Sequence, residues 1–247
     1  MNVLCLWATI RSTEATAEST TAAKRQEQCG VLDALRRHYL FMYNLLQFLG
    51  FSWTFSLLTA NLILHGQGAL YDAFSSCAAV LYGCQMLAVL EVINAAVGLV
   101  KTPVFPAMIQ VMGRNVVLFV VFGSLPEMQE RSVVFWVFYL WSISEVFRLA
   151  FPVLSLDAKF VMLIWLRHAL LYPLTTLTEA VAVLQSLPLF DQTRLFSVPL
   201  PETVGFSVSF SFSLRLYLLL MFVGFFINIR HLVSPTGRSF RLKPHTD

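Results

Sequence analysis

Long uncharged runs separated by short polar breaks dominate the chain. Residues 39–64, YLFMYNLLQFLGFSWTFSLLTANLIL, are 26 consecutive positions without a formal charge. At 1.5 Å per residue, about 20 of them cross a hydrocarbon layer of roughly 30 Å, so the run predicts a tilted spanning helix. HGQG at 65–68 ends it. A second run covers about 70–100 and carries Glu91; a third covers about 103–123 and carries Arg114. KTP at 101–103 is the turn between them, because Pro103 opens a helix readily but disfavours helical geometry in Thr102. SLPEMQER at 124–131 leaves the apolar layer, and a fourth run, 132–156, contains Glu145 and Arg148. A fifth occupies about 159–187 and a sixth about 210–232, with no internal repeat. The pattern predicts an all-α polytopic membrane bundle of six transmembrane helices in one domain, 39–232. A segment 1–38 precedes it and a basic tail 233–247 follows.

Composition sharpens this picture. The chain is 57% hydrophobic and 13% charged, with a mean hydropathy of +0.70. A soluble domain is nearer 45–50% apolar and 25% charged, so an ordinary cytosolic enzyme is excluded. The polar, small-residue stretch RSTEATAESTTAAKRQEQCG at 11–30 is expected to lack structure. Residues 1–10 carry no cationic leader and are too short to span. With the N-terminus cytosolic, eleven Lys and Arg fall on the cytosolic side and only Arg131 and Arg194 opposite, which places both termini in the cytosol. The same rule accounts for the basic tail, so no nucleic-acid partner is expected. Cys5, Cys29, Cys77 and Cys84 form no CxxC pair, and no metal site is expected.

The residues that a plain membrane anchor would not contain are Glu91, Glu145 and Glu179 with Arg114, Arg148 and Arg167. A charge in mid-span costs about 2.5–3.5 kcal/mol even on insertion scales, so each is expected to face the bundle interior or a partner. Glu145 and Arg148 are three apart and pair on one helix; Glu91 is expected to meet Arg114 across the second turn. Glu179 has no opposite charge within a helical turn. Tyr172, seven residues earlier, shares its stripe at roughly 10 Å along the axis, and Pro173 is expected to bend the helix between them. Two readings of this pair are open. Either Tyr172 is a buried aromatic donating to a carbonyl, or the two side chains are proton-handling groups on either side of a substrate.

Four ordered words carry a resemblance: YLFMYNLLQFLGFSW at 39–53, LEVINAAVGLVKTPVFPAMIQVMGR at 90–114, WSISEVFR at 141–148 and WLRHALLYPLTTLTE at 165–179. Together they resemble the 3-hydroxyacyl-CoA dehydratase family, also described as protein-tyrosine-phosphatase-like membrane proteins. Asn94, Leu149, Pro152, His168, Thr175 and Thr178 depart from the family's pattern. The resemblance implies an endoplasmic reticulum enzyme that removes water from very-long-chain (3R)-3-hydroxyacyl-CoA, giving trans-2-enoyl-CoA in fatty acid elongation. It implies Tyr172 and Glu179 as the catalytic pair. Elongase, ketoreductase and enoyl reductase are the implied partners, alongside membrane lipids.

Such an elimination needs a base at C2 and a proton donor at the C3 hydroxyl. Glu179 is read as the base and Tyr172 as the donor, with the reverse assignment open. Arg148 and Arg167 are candidates for steering the thioester or holding the carboxylate, with Glu145, Glu91 and Arg114 as supporting charges. Lys101 and Lys159 are candidates for the CoA phosphates at the cytosolic mouth. No cofactor is expected. The alternative is a catalytically inactive membrane scaffold of the elongation complex.

Overall fold

The computed structural model describes residues 3–100, 103–154, 170–196 and 210–233, and among these no strand occurs. The helices are α1 (Val3–His65), α2 (Ala73–Ala96), α3 (Val104–Asn115), the short α4 (Pro126–Gln129), α5 (Ser132–Leu154), α6 (Tyr172–Thr193) and α7 (Phe210–Val233). A 3-10 turn, Gly66–Leu70, follows α1, and a π-helical segment, Val116–Phe122, continues α3.

The helix breaks follow from local chemistry. Gly66, at φ +57°, closes α1 at the predicted glycine cluster. α2 stops before KTP, because Gly98 takes φ +78° and the Leu99 N–H reaches back to the Asn94 carbonyl at 2.8 Å. That bond pattern is the left-handed glycine cap of a helix C-terminus, and a side chain at 98 would be strained there. Pro173 sits in the first turn of α6, and Leu170 and Leu171 just before it are themselves helical, in the π pattern.

The chain divides into two units, residues 1–46 and 47–247. In the first, helix runs through 11–30, where a segment without structure was expected. The physical reason is composition: between positions 3 and 29 there is no Gly and no Pro, while Ala, Glu, Lys, Arg and Gln are frequent.

The second unit is the bundle. α2 packs on α3 and α5, and α6 packs on α5, α7 and the π segment. Its centre is a continuous apolar core in which Phe122, Phe135, Phe138 and Trp141 are fully buried. The π segment contributes Val117, Leu118, Val121 and Phe122, all at 0% exposure, so the wider turn aims a solid apolar face inward directly after Arg114.

Among the described residues, four helices are long and apolar enough to cross a membrane: Gly30–Leu70, Ala73–Ala96, Ser132–Leu149 and Phe210–Ile227. The third predicted span appears as the shorter apolar helix Ala107–Phe122. The fifth is described only from residue 170, and α6 carries Thr175, Thr176, Thr178 and Glu179, which lower its hydropathy. The described residues are thus helical apart from turns, with four helices long and apolar enough to cross a membrane.

Candidate active site

α5 supplies the middle of the site, because Trp141, Glu145 and Arg148 recur at four- and three-residue intervals and so share one face. Glu145 is only 3% exposed and uses both carboxylate oxygens: Arg114 Nη1 donates to Oε1 and Arg148 Nε to Oε2, each at 2.5 Å. Arg148 Nη1 donates also to Glu91 Oε1 at 2.9 Å. The predicted Glu145–Arg148 pair is therefore present.

The predicted Glu91–Arg114 pair is not. Glu91 lies five residues before the end of α2, whereas Arg114 lies ten residues into α3. On antiparallel helices this separates them by about five residues of depth, roughly 7.5 Å. Arg114 meets Glu145 instead, and the forked guanidinium of Arg148 serves both Glu145 and Glu91. Arg148 is thereby shared between two carboxylates.

Glu179 sits on the buried face of α6 at 9% exposure. The Trp141 indole Nε1–H donates to its Oε1 at 2.5 Å. The Arg114 guanidinium lies over the same indole, 5.5 Å from the ring centroid, and its charge reaches Glu179. The chain of contacts thus runs Glu91, Arg148, Glu145, Arg114, Trp141, Glu179. Oε2 of Glu179 makes no hydrogen bond among the described residues.

Tyr172 opens α6, is 40% exposed and lies within electrostatic reach of Glu179. This placement sets aside the reading of Tyr172 as a buried core aromatic. The α6 stripe thus presents an open phenol near the helix start and a sheltered carboxylate two turns below it.

A cavity of about 200 Å³ lies on another side of the Arg114–Glu145 pair, bounded by Gln47, Gln85, Glu91, Gln110 and Arg148 among others. Neither Tyr172 nor Glu179 lines it. Lys101, Lys159 and Arg167 fall outside the described residues.

Two side chains of the bundle were not singled out from the sequence. Trp141 stands in the quoted word WSISEVFR, but an indole looks like any other core aromatic until its N–H has a partner. Tyr217 on α7 brings its hydroxyl over Gly113, the residue before Arg114. It is one of many aromatics in an apolar run and carries no spacing signal.

Replacing Trp141 by Phe removes one hydrogen bond to a carboxylate, worth about 1.5–3 kcal/mol. Trp141→Phe should therefore lower the Tm of the detergent-extracted protein while it still elutes as a single species. An unchanged Tm would show that this bond adds nothing to the stability of the fold.

Fold and site together define a class: a helical membrane protein with a buried carboxylate, held by an indole, beside an ion-paired network inside the bundle. Residues 85–241 match the family described as "Protein tyrosine phosphatase-like protein, PTPLA", and the chain belongs to that family. It is 57% identical over 213 residues to a Danio rerio protein named very-long-chain (3R)-3-hydroxyacyl-CoA dehydratase, covering 85% of this chain and 59% of the relative. A Mus musculus protein named very-long-chain (3R)-3-hydroxyacyl-CoA dehydratase 3 is 46% identical over 245 residues, covering 93% of this chain and 68% of the relative. The Homo sapiens protein bearing that name with the number 4 is 34% identical over 200 residues, covering 79% of this chain and 85% of the relative. The chain thus spans about three fifths to two thirds of the length of the first two. No solved structure matches it.

Proposed function

We propose that this chain dehydrates very-long-chain (3R)-3-hydroxyacyl-CoA to trans-2-enoyl-CoA within fatty acid elongation. The observation that carries the reading is family membership combined with the position of Tyr172 and Glu179 on one helix, the carboxylate sheltered and the phenol open. Relatives named for this reaction support it.

In this mechanism Glu179 Oε2 removes the C2 proton, acidified by the thioester, and Tyr172 protonates the departing C3 hydroxyl. The C2–H electron pair becomes the new C2–C3 double bond as the C3–O bond breaks, and water leaves. The reaction transfers no electrons beyond these bonds, so we propose that no cofactor takes part; CoA is part of the substrate. The acyl tail lies among apolar side chains of the bundle, and Lys101 and Lys159 meet the CoA phosphates. Elongase, ketoreductase and enoyl reductase are the proposed partners, since they make or consume the adjacent intermediates.

The test is direct: the full chain, reconstituted in lipid, is given (3R)-3-hydroxyacyl-CoA of several chain lengths and assayed for the enoyl product. Formation of trans-2-enoyl-CoA supports the reading. Absence of product at every length would favour a non-catalytic scaffold of the elongation complex.

We propose further that the protein resides in the endoplasmic reticulum membrane with six spans and both termini cytosolic. The support is the count of apolar runs and the asymmetry of Lys and Arg. Tags at Met1 and Asp247 should both be reached by antibody when the plasma membrane alone is permeabilised. Opposite accessibility would require an odd number of spans.

A further inference from the structure

We propose that Trp141 is a positioning residue for the elimination: its indole N–H holds one oxygen of Glu179 so that the other, Oε2, is presented to the C2 proton. This rests on the dehydratase reading and deepens it.

A glutamate base needs such a hold. Its side chain turns about several bonds, and proton transfer tolerates only a narrow range of distance and angle, so a free carboxylate is seldom in the reactive geometry. The hydroxyls on α6 do not supply the hold. Thr175, Thr176 and Thr178 donate to the carbonyls of Leu171, Tyr172 and Leu174 on their own helix. Among the described residues one hydrogen bond reaches the carboxylate, from Trp141 Nε1 on α5 to Oε1 at 2.5 Å.

The indole is itself fixed. Trp141 is at 0% exposure in the core, and its ring centroid lies 6.3 Å from that of Phe138. The Arg114 guanidinium lies over the ring at 5.5 Å, and Glu145 holds that guanidinium in turn. A cation over an indole draws electron density from the ring and strengthens its N–H as a donor. Full burial also keeps Trp141 away from a substrate, so its effect on the reaction passes through Glu179. A phenyl ring would fill the same core without directing the carboxylate.

Trp141→Phe keeps an aromatic ring and removes the N–H. In the lipid-reconstituted full chain it should lower kcat for (3R)-3-hydroxyacyl-CoA by about 10- to 100-fold, with KM within about threefold of wild type because the substrate loses no contact. The decisive readout is the cycle with Glu179→Gln. If the indole acts through the carboxylate, the double variant should be no slower than Glu179→Gln by itself, whereas a role confined to folding would slow both backgrounds by the same factor. Should Trp141→Phe extract poorly, 3-benzothienylalanine incorporated at position 141 keeps the bicyclic shape without the N–H and should give the same loss. A replacement that turns over within about threefold of wild type would overturn the proposal while leaving Glu179 in place, and so would an equal loss in the two backgrounds. A wild-type chain without turnover would overturn the dehydratase reading and this proposal together.

Discussion

Tyr172→Phe and Glu179→Gln should each reduce dehydration of (3R)-3-hydroxyacyl-CoA by at least about a hundredfold, with the folded protein recovered in normal amount. A positioned acid or base contributes about 10²–10⁴ in rate, and each substitution removes one proton-handling group with little change in shape. Glu179 keeps its place through Trp141, whose N–H holds Oε1, so a Gln there retains an oxygen to accept that bond and loses only the base. Tyr172 is 40% exposed at the start of α6, and Phe keeps its ring. Initial rates of enoyl-CoA formation, measured beside a size-exclusion profile, check both halves of the expectation. Near-wild-type turnover in both variants would remove this pair from the chemistry.

Glu145→Gln should have the largest effect on folding. This carboxylate bridges Arg114 and Arg148 at 3% exposure, and its neutralisation leaves the 11%-exposed Arg114 without a countercharge at that contact. Removing one partner of a buried ion pair costs about 3–5 kcal/mol, which rivals the whole margin of many domains. The expected outcome is a sharp fall in detergent-extractable, monodisperse protein and a lowered Tm. Glu91→Gln offers the contrast. The Glu91–Arg148 pair is 30% and 25% exposed and Arg148 retains Glu145, so its loss should cost about 1 kcal/mol or less. Equal damage from the two substitutions would mean that the network does not depend on its buried centre. Activity should follow folding for Glu145→Gln, since Arg114 lies over the indole that holds Glu179.

The Glu145 network also shows which contacts follow from a single helix. Rise and rotation per residue are fixed in an α-helix, so the Glu145–Arg148 pair and the common stripe of Tyr172 and Glu179 were legible from spacing alone. The helix breaks at Gly66 and before KTP were legible too, because turn residues act within a few positions of themselves. The N-terminal segment shows the limit of this reading, since low hydrophobicity argued against structure while the residue types favour helix.

Contacts between helices answer to something that sequence spacing does not contain, namely the relative depth, rotation and neighbour order of packed elements. Arg114 and Glu145 are 31 residues apart and Glu91 and Arg148 are 57 apart; a shift of one helical turn in α3 would exchange such partners. Trp141 became a ligand of Glu179 only when α5 was laid against α6. Tyr217 lays its hydroxyl over Gly113 only because residue 113 lacks a side chain. The sequence by itself determined the apolar helical runs, the breaks at Gly66 and before KTP, the Glu145–Arg148 pair and the Tyr172–Glu179 stripe, all of which are properties of one helix or one turn. The tertiary structure decided how the charges pair and which groups from other helices surround Glu179, because those contacts depend on packing register, which no single segment encodes.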